Sequence, residues 1–284
     1  MKLRNRLQDS KILIAPGIFD ALGIMLLENA GFEVAYLSGA SLSYTHHGRP
    51  DIGLVTMTEV AESVRLIRER SETPLIVDAD SGYGNVLNTQ RAVKLFERCG
   101  ASAIQLEDQS FPKRCGHLHD KSVISIQEMA GKLKAALDAR SSSETLIIAR
   151  TDAVACEGFD SALDRAETYT ETGIDILFVE ALSSKGQMRL VNERFREKLP
   201  LMANMVEGGK TPLLSGPELQ EIGYSLVIFP GGYVRAITKL GQRYFESLKS
   251  HETTVPFLEE MLDFEQLQDL LGTHQLLSQA KEYE

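Results

Sequence analysis

Eight short apolar runs rich in β-branched residues recur along the 284-residue chain, and a longer stretch of helical period follows each. The runs are Ile12–Ala15, Val34–Leu37, Leu75–Val77, Ala103–Leu106, Leu146–Ala149, Ile176–Val179, Leu201–Ala203 and Leu226–Phe229. They are nearly continuous rather than alternating, as in parallel strands covered on both faces. Amphipathic stretches lie between them, among them Met57–Arg70, Thr89–Cys99, Ile126–Arg140, Asp160–Thr172, Lys185–Glu197 and Pro217–Ile222. Gly31, Gly100, Gly173 and Gly223 stand where helix C-caps fall. Eight such units in about 250 residues predict a (β/α)8 barrel. A doubly wound open sheet is the rival, but it normally carries a Gly-rich first turn, and here the first strand runs into Pro16-Gly17-Ile18-Phe19-Asp20. No Gly/Ser/Pro linker divides the chain. The pattern therefore predicts a barrel over 1–249 and a helical extension of the same domain over 250–284.

The charge balance narrows the ligand. Thirty Lys and Arg against 40 Asp and Glu give a formal net charge of −10, with no basic stripe of the kind nucleic acid requires. No run of 18 apolar residues suggests a membrane span. The basic N-terminus leads into a stretch cut by Pro16 and Asp20, which argues against a signal peptide. Cys99, Cys115 and Cys156 form no Cys-x-x-Cys pair, so a disulfide framework or structural zinc site is not expected. A cytoplasmic protein with reduced thiols is the expectation.

In such barrels the active site lies at the C-terminal strand ends. Here five consecutive ends are polar: Asp78-Ala79-Asp80, Glu107-Asp108-Gln109, Arg150-Thr151-Asp152, Glu180, and Asn204. Asp78 and Asp80, two residues apart on a strand, should point the same way, toward the barrel axis. Paired carboxylates raise each other's pKa unless a cation neutralises them. With Glu107 they form an all-oxygen set that favours Mg²⁺, or Mn²⁺, over zinc. Arg150 adds a positive fork for a carboxylate. The interval from Glu107 to Arg150 is roughly a dozen residues longer than its neighbours, and the excess falls in a loop over 109–125, a candidate lid. That loop carries Lys113-Arg114-Cys115-Gly116-His117, where a Cys among cations is expected to have a depressed pKa. Cys99 and Cys156 have no such setting and read as structural. His46-His47 reads as a solvated loop feature, and Gly231-Gly232 as either a phosphate cradle or a tight turn.

These motifs, with Tyr36-Leu37-Ser38-Gly39, Asp51-Ile52-Gly53 and Ala203–Pro212, resemble the isocitrate lyase/phosphoenolpyruvate mutase superfamily over nearly the whole chain. The resemblance implies a Mg²⁺-dependent homotetramer whose last helices are swapped onto a neighbour. It implies Asp78, Asp80 and Glu107 as metal ligands with Asp51 in the outer shell. It assigns Ser38, Gly39, Ala40, Gly116, Arg150, Glu180, Asn204 and Arg235 to the substrate. Cys115, supported by His117, becomes the acid/base on the carbanion face, and Tyr36 and Glu180 the candidates for the hydroxyl proton. The implied reaction is C–C cleavage of a 2-hydroxy di- or tricarboxylic acid, resembling 2,3-dimethylmalate lyase or 2-methylisocitrate lyase. Within the family, Phe264 stands where methylisocitrate lyases use an Arg, and Pro230 where oxaloacetate hydrolases tend to use Ser. A phosphonomutase resembling carboxyvinyl-carboxyphosphonate phosphorylmutase is the alternative, and a non-catalytic metabolite-binding barrel a further one.

Overall fold

The computed structural model describes residues 2–116 and 121–284. After a short helix α1 (Leu3–Arg6), strands and helices alternate: β1 (Leu13–Ile18), α2 (Ala21–Asn29), β2 (Ala35–Leu37), α3 (Gly39–Leu42), α4 (Met57–Arg68), β3 (Leu75–Asp78) and α5 (Val86–Cys99). There follow β4 (Ala103–Glu107), α6 (Ile126–Ala139), β5 (Leu146–Thr151), α7 (Ala153–Cys156), α8 (Phe159–Glu171) and β6 (Ile176–Val179). The barrel ends with α9 (Lys185–Phe195), β7 (Leu201–Asn204), α10 (Gly216–Ile222) and β8 (Leu226–Phe229), before α11 (Gly232–His251). The eight strands close in sequence order, all parallel, with β8 pairing back onto β1. The (β/α)8 barrel expected from the pattern is the observed fold, and the open sheet is excluded.

Local chemistry accounts for the helix boundaries. Asp20 accepts from the Gly23 amide to start α2, and Thr56 with Glu59, Asn85 with Asn88, and Ser215 with Glu218 form capping boxes on α4, α5 and α10. Gly31, Gly100, Gly173 and Gly223 all take positive φ just past their helices. Two apolar clusters fill the unit. One lies between strands and helices and holds most buried side chains, Val77, Phe96, Leu133, Leu177 and Phe195 among them. The other is drawn from alternate strand positions, including Val34, Tyr36, Ile76, Ala103, Ile148, Phe178, Met202 and Ile228, joined by Leu3 and Leu7.

The strands run further than their apolar content suggests. β3, β4, β5 and β7 end on Asp78, Glu107, Thr151 and Asn204. Ladder bonds continue into the polar residues, with the Glu107 amide donating to Asp80 and the Glu180 amide to Thr151. No helix among the described residues is long and apolar enough to cross a membrane.

By contacts the chain divides into Met1–Val234 and Arg235–Glu284, a break inside α11 that precedes the expected limit at 249. The second unit holds the rest of α11, a 3₁₀ turn (Val255–Glu260), α12 (Phe264–Leu271) and α13 (Thr273–Lys281). Within it, Tyr244 meets Phe257 edge-on at 5.5 Å and Arg243 pairs with Glu260. Phe245, Leu258, Leu262, Phe264, Leu276 and Leu277 are exposed.

At the β1–β8 seam, a Cβ on Gly17 would lie 2.2 Å from the Pro230 carbonyl oxygen. Backbone cannot yield as a flexible side chain can. Gly17→Ala is therefore expected to cost about 1–3 kcal/mol of stability, the usual scale of overpacking, read as a lowered urea midpoint at unchanged slope.

Candidate active site

The inward-facing rows of β2 to β7 end in functional groups. Side chains alternate along a strand, so the position two beyond an inward apolar residue also faces the axis. Tyr36 is followed in this way by Ser38, Ile76 by Asp78, Ala103 by Gln105 and then Glu107, Ile148 by Arg150, Phe178 by Glu180, and Met202 by Asn204. Tyr36, Ser38, Ala40, Asp51, Asp78, Glu107, Lys113, Arg114, Cys115, Gly116, Arg150, Glu180, Asn204 and Pro230 line one cavity at the C-terminal mouth.

Asp80 reaches this cluster by a different route from the one expected. β3 stops at Asp78, and Asp80 adopts a left-handed backbone with φ 47°. The turn, not strand alternation, aims its carboxylate; its amide donates to Asp78 Oδ1 at 3.3 Å. Asp78, Asp80 and Glu107 are all nearly fully buried. Burial, with Asp78 and Asp51 close by, pushes the Asp80 carboxyl up to about 7 against the pull of Lys113. Burial likewise holds Glu107 well above the ordinary carboxylate range despite Arg150. Buried Glu107 Oε1 takes no hydrogen bond. Among the described residues no three His, Cys, Asp or Glu side chains converge into a ready-made metal centre. A side-chain cation stands there: Lys113 Nζ bridges Asp51 Oδ1 and Asp80 Oδ1 at 2.5 and 2.7 Å. Burial would strip its proton, but Asp80, Asp51, Glu107 and Asp78 together hold its pKa well above the usual lysine value.

Arg150 is fixed from the other side. Its Nε and Nη2 donate to Asp152 at 2.8 and 3.0 Å, while Nη1 lies 3.3 Å from Glu107 and Nη2 3.5 Å from Glu180. Asp152 rests on Asp108, whose Oδ1 accepts the Asp152 amide at 2.8 Å. Asp108 Oδ2 accepts from Thr151 and Tyr169 at 2.8 and 2.9 Å, and Arg165 lies 3.3 Å away. Glu180 accepts from Asn204 Nδ2 at 2.8 Å and from the Ala181 amide at 2.7 Å.

The segment between β4 and α6 is tied down at its described ends. Gln109 pairs with Val123 in an antiparallel bridge. The Gln109 side chain clamps the Arg114 backbone, donating to its carbonyl at 2.8 Å and accepting its amide at 2.9 Å. The Cys115 amide donates to the Asp51 carbonyl at 3.1 Å. Gly116 presses on the site so closely that a Cβ would lie 2.4 Å from Arg150 Nη2 and 3.0 Å from Glu180 Cγ.

Some expected donors are engaged within the protein. The Ser38 hydroxyl accepts from the Ser41 amide, and the Gly39 amide points at Asp78 Oδ2, 3.4 Å away. Tyr36 Oη donates to Gln105 Oε1 at 3.1 Å, and burial holds the phenol well above its ordinary pKa, so it remains protonated. Arg235 lies in the second unit, and His117 falls outside the described residues. His47 pairs with Glu59 at the surface, clear of the cavity. Gly232 lies against the Glu207 carboxylate, a Cβ there being 3.0 Å from Oε1, an anionic neighbour that speaks against a phosphate cradle. Sequence reading did not single out Gln105, Asp108, Lys113 or Lys121 as individual groups. Gln105 had a signal in the inward parity of β4, while Asp108 and Lys113 stood inside the motifs quoted for the end of β4 and the loop.

The chain is similar to known proteins over nearly its whole length. The phosphoenolpyruvate phosphomutase family matches residues 3–249. The chain is 40% identical to a 2,3-dimethylmalate lyase of Eubacterium barkeri over 97% of its own length and 94% of the relative's. It is 41% identical to a 2-methylisocitrate lyase of Aeropyrum pernix, covering 96% and 87%. A crystal structure of 2,3-dimethylmalate lyase superposes with a TM-score of 0.93 at 30% identity, covering 99% of this chain and 94% of the other. A phosphonopyruvate hydrolase solved with oxalate and Mg²⁺ superposes with a TM-score of 0.87 at 26% identity, covering 98% and 96%. The chain belongs to the phosphoenolpyruvate phosphomutase family and is a carbon–carbon lyase of the isocitrate lyase/phosphoenolpyruvate mutase superfamily.

A methyl group at 116 has no space without displacing Arg150 or the chain at 115–116. Gly116→Ala is expected to cut turnover about 100-fold, the scale of a displacement near 1 Å, with the thermal midpoint little changed; a variant with wild-type turnover would refute the packing argument.

Proposed function

We propose that the protein cleaves the C2–C3 bond of a 2-methyl-substituted 2-hydroxy acid, 2,3-dimethylmalate or 2-methylisocitrate, releasing pyruvate. The carrying observation is that Asp78, Glu107, Arg150, Glu180 and Cys115 line one mouth. The donor set suits a divalent cation. Three buried carboxylates contribute only oxygen, Glu107 Oε1 takes no hydrogen bond, and two of the carboxyls carry raised pKa values that a cation would relieve. In this reading Asp78, Asp80 and Glu107 hold Mg²⁺ or Mn²⁺, and Asp51 supports it from the outer shell. When bound, the cation offsets negative charge on the oxygen of the departing keto acid.

The chain's own residues do the rest. Arg150 anchors a substrate carboxylate, with Ser38 and Ala40 lining the same cavity and Gly39 between them in the chain. Glu180 takes the hydroxyl proton; Tyr36, protonated and donating to Gln105, is the weaker base. As the hydroxyl oxygen becomes the ketone of pyruvate, the C–C bonding electrons pass to the second fragment as an enolate. Cys115 Sγ returns one proton to that carbon, so protons balance. With 2,3-dimethylmalate the second product is propionate. We further propose a cytoplasmic location, in keeping with three cysteines that form no disulfide. Self-association as a tetramer through the second unit is in keeping with its exposed leucines and phenylalanines.

Pyruvate release from the two acids, assayed beside ³¹P NMR of phosphonopyruvate, tests the reaction. Release from neither acid, with phosphonopyruvate consumed, would overturn the lyase in favour of the mutase chemistry. Chelator is expected to abolish turnover and Mg²⁺ to restore it. Cys115→Ala is expected to lower kcat about 100-fold or more while Mn²⁺ still binds.

A further inference from the structure

Lys121 plays no part in that mechanism, yet its side chain is only 1% exposed. Burying an ammonium costs several kcal/mol unless partners compensate it. Two partners do: Nζ lies 2.7 Å from Asp152 Oδ1 and also donates to the Gly116 carbonyl. Asp152 is the bidentate partner of Arg150, and Gly116 abuts the Arg150 guanidinium. Lys121, Asp152, Arg150 and Gly116 therefore form a closed ring of contacts, with Cys115 adjoining it through Gly116. Three of the four links are hydrogen bonds to or from a charged group, the stronger and more directional kind.

We propose that Lys121 is a positioning residue, setting the Arg150 fork and the place of Cys115 through Asp152 and Gly116. Asp152 is suited to this double duty. Burial would raise its pKa, but Arg150 and Lys121 bring it to about 2, so the carboxylate stays charged and serves both cations across the neutral range. Asp108 in turn keeps the Asp152 backbone from swinging when one cation is removed. Loss of Lys121 thus leaves Arg150 bound to Asp152 but frees Gly116, and the ring opens on the side that carries Cys115.

This inference rests on the reading that Arg150 and Cys115 face the substrate, and the test separates the two. Lys121→Met keeps length and bulk without the charge, Lys121→Gln serves the same end should the Met variant not fold, and Lys121→Arg keeps the charge. Iodoacetamide labelling of Cys115 is measured by mass spectrometry against Cys99 of the same molecule, with no substrate present. The Met or Gln variant is expected to change the Cys115/Cys99 labelling ratio at least ~5-fold and to lower kcat ~10-fold or more, more than it changes KM. Lys121→Arg should stay within ~3-fold of wild type on both measures. An unchanged labelling ratio overturns the proposal whatever the kinetics, and so does a changed ratio with wild-type kcat. A wild-type protein inactive on both acids would instead sink the lyase reading, leaving the labelling ratio to decide the ring.

Discussion

The structure depends on the neutralisation of buried carboxylates. Asp51, Asp78, Asp80, Glu107, Asp152 and Glu180 are gathered at one barrel mouth, each under a tenth exposed. Their mutual repulsion in a poorly solvated space would cost more than any single contact returns. Side-chain cations answer it. Lys113 serves Asp51 and Asp80, Arg150 serves Asp152, Glu107 and Glu180, and Lys121 shares Asp152. Arg114 also lines the cavity beside these groups. Burial, more than the neighbouring carboxylates, raises the Asp80 and Glu107 pKa values and favours proton uptake there.

Below that layer lies a second one that holds the first in place. Asp108 is fully buried and bound by Thr151, Tyr169, Arg165 and the Asp152 amide. Its own carbonyl accepts the Ile124 amide, and Arg165 donates to the Ile124 carbonyl. One carboxylate thus fixes both the end of β5 and the return of the inserted segment to α6. Arg165 is held by Glu157 through a two-point fork. Removing one partner from such a network strands a buried charge, which is more damaging than never having built it.

Much of this was legible in the sequence, for a specific reason. A barrel strand has period two, so parity carried from apolar residues such as Ile76, Ile148 and Phe178 points to Asp78, Arg150 and Glu180. The repeat of eight units fixed the end of the strand on which those groups act. Asp80 was placed correctly beside Asp78 but for the wrong reason, since strand parity ends at Asp78 and a left-handed turn takes over. Lys113 and Lys121 were not legible as functional groups. They sit in a segment with no period, and a lysine there looks like any solvated loop residue until the fold shows it buried. Asp108 was hidden by its neighbours: it reads as one more polar residue at a strand end, although it faces the helices rather than the axis.

The inserted segment explains how a chain of net charge −10 can hold an anionic acid. The barrel strands and the connections that follow them supply the carboxylates, and β5 supplies one cation, Arg150. Lys113, Arg114 and Lys121 all come from the single long connection between β4 and α6, together with Cys115 and Gly116. The same barrel with a connection of ordinary length would keep its negative mouth and lose most of the fixed positive charge facing it. In the proposed reaction, field sign and proton donor therefore arrive as one unit of chain. An acid entering the cavity meets Lys113, Arg150 and Cys115 in an arrangement set by contacts to Asp51, Asp152 and Gly116, not by the protein's overall charge.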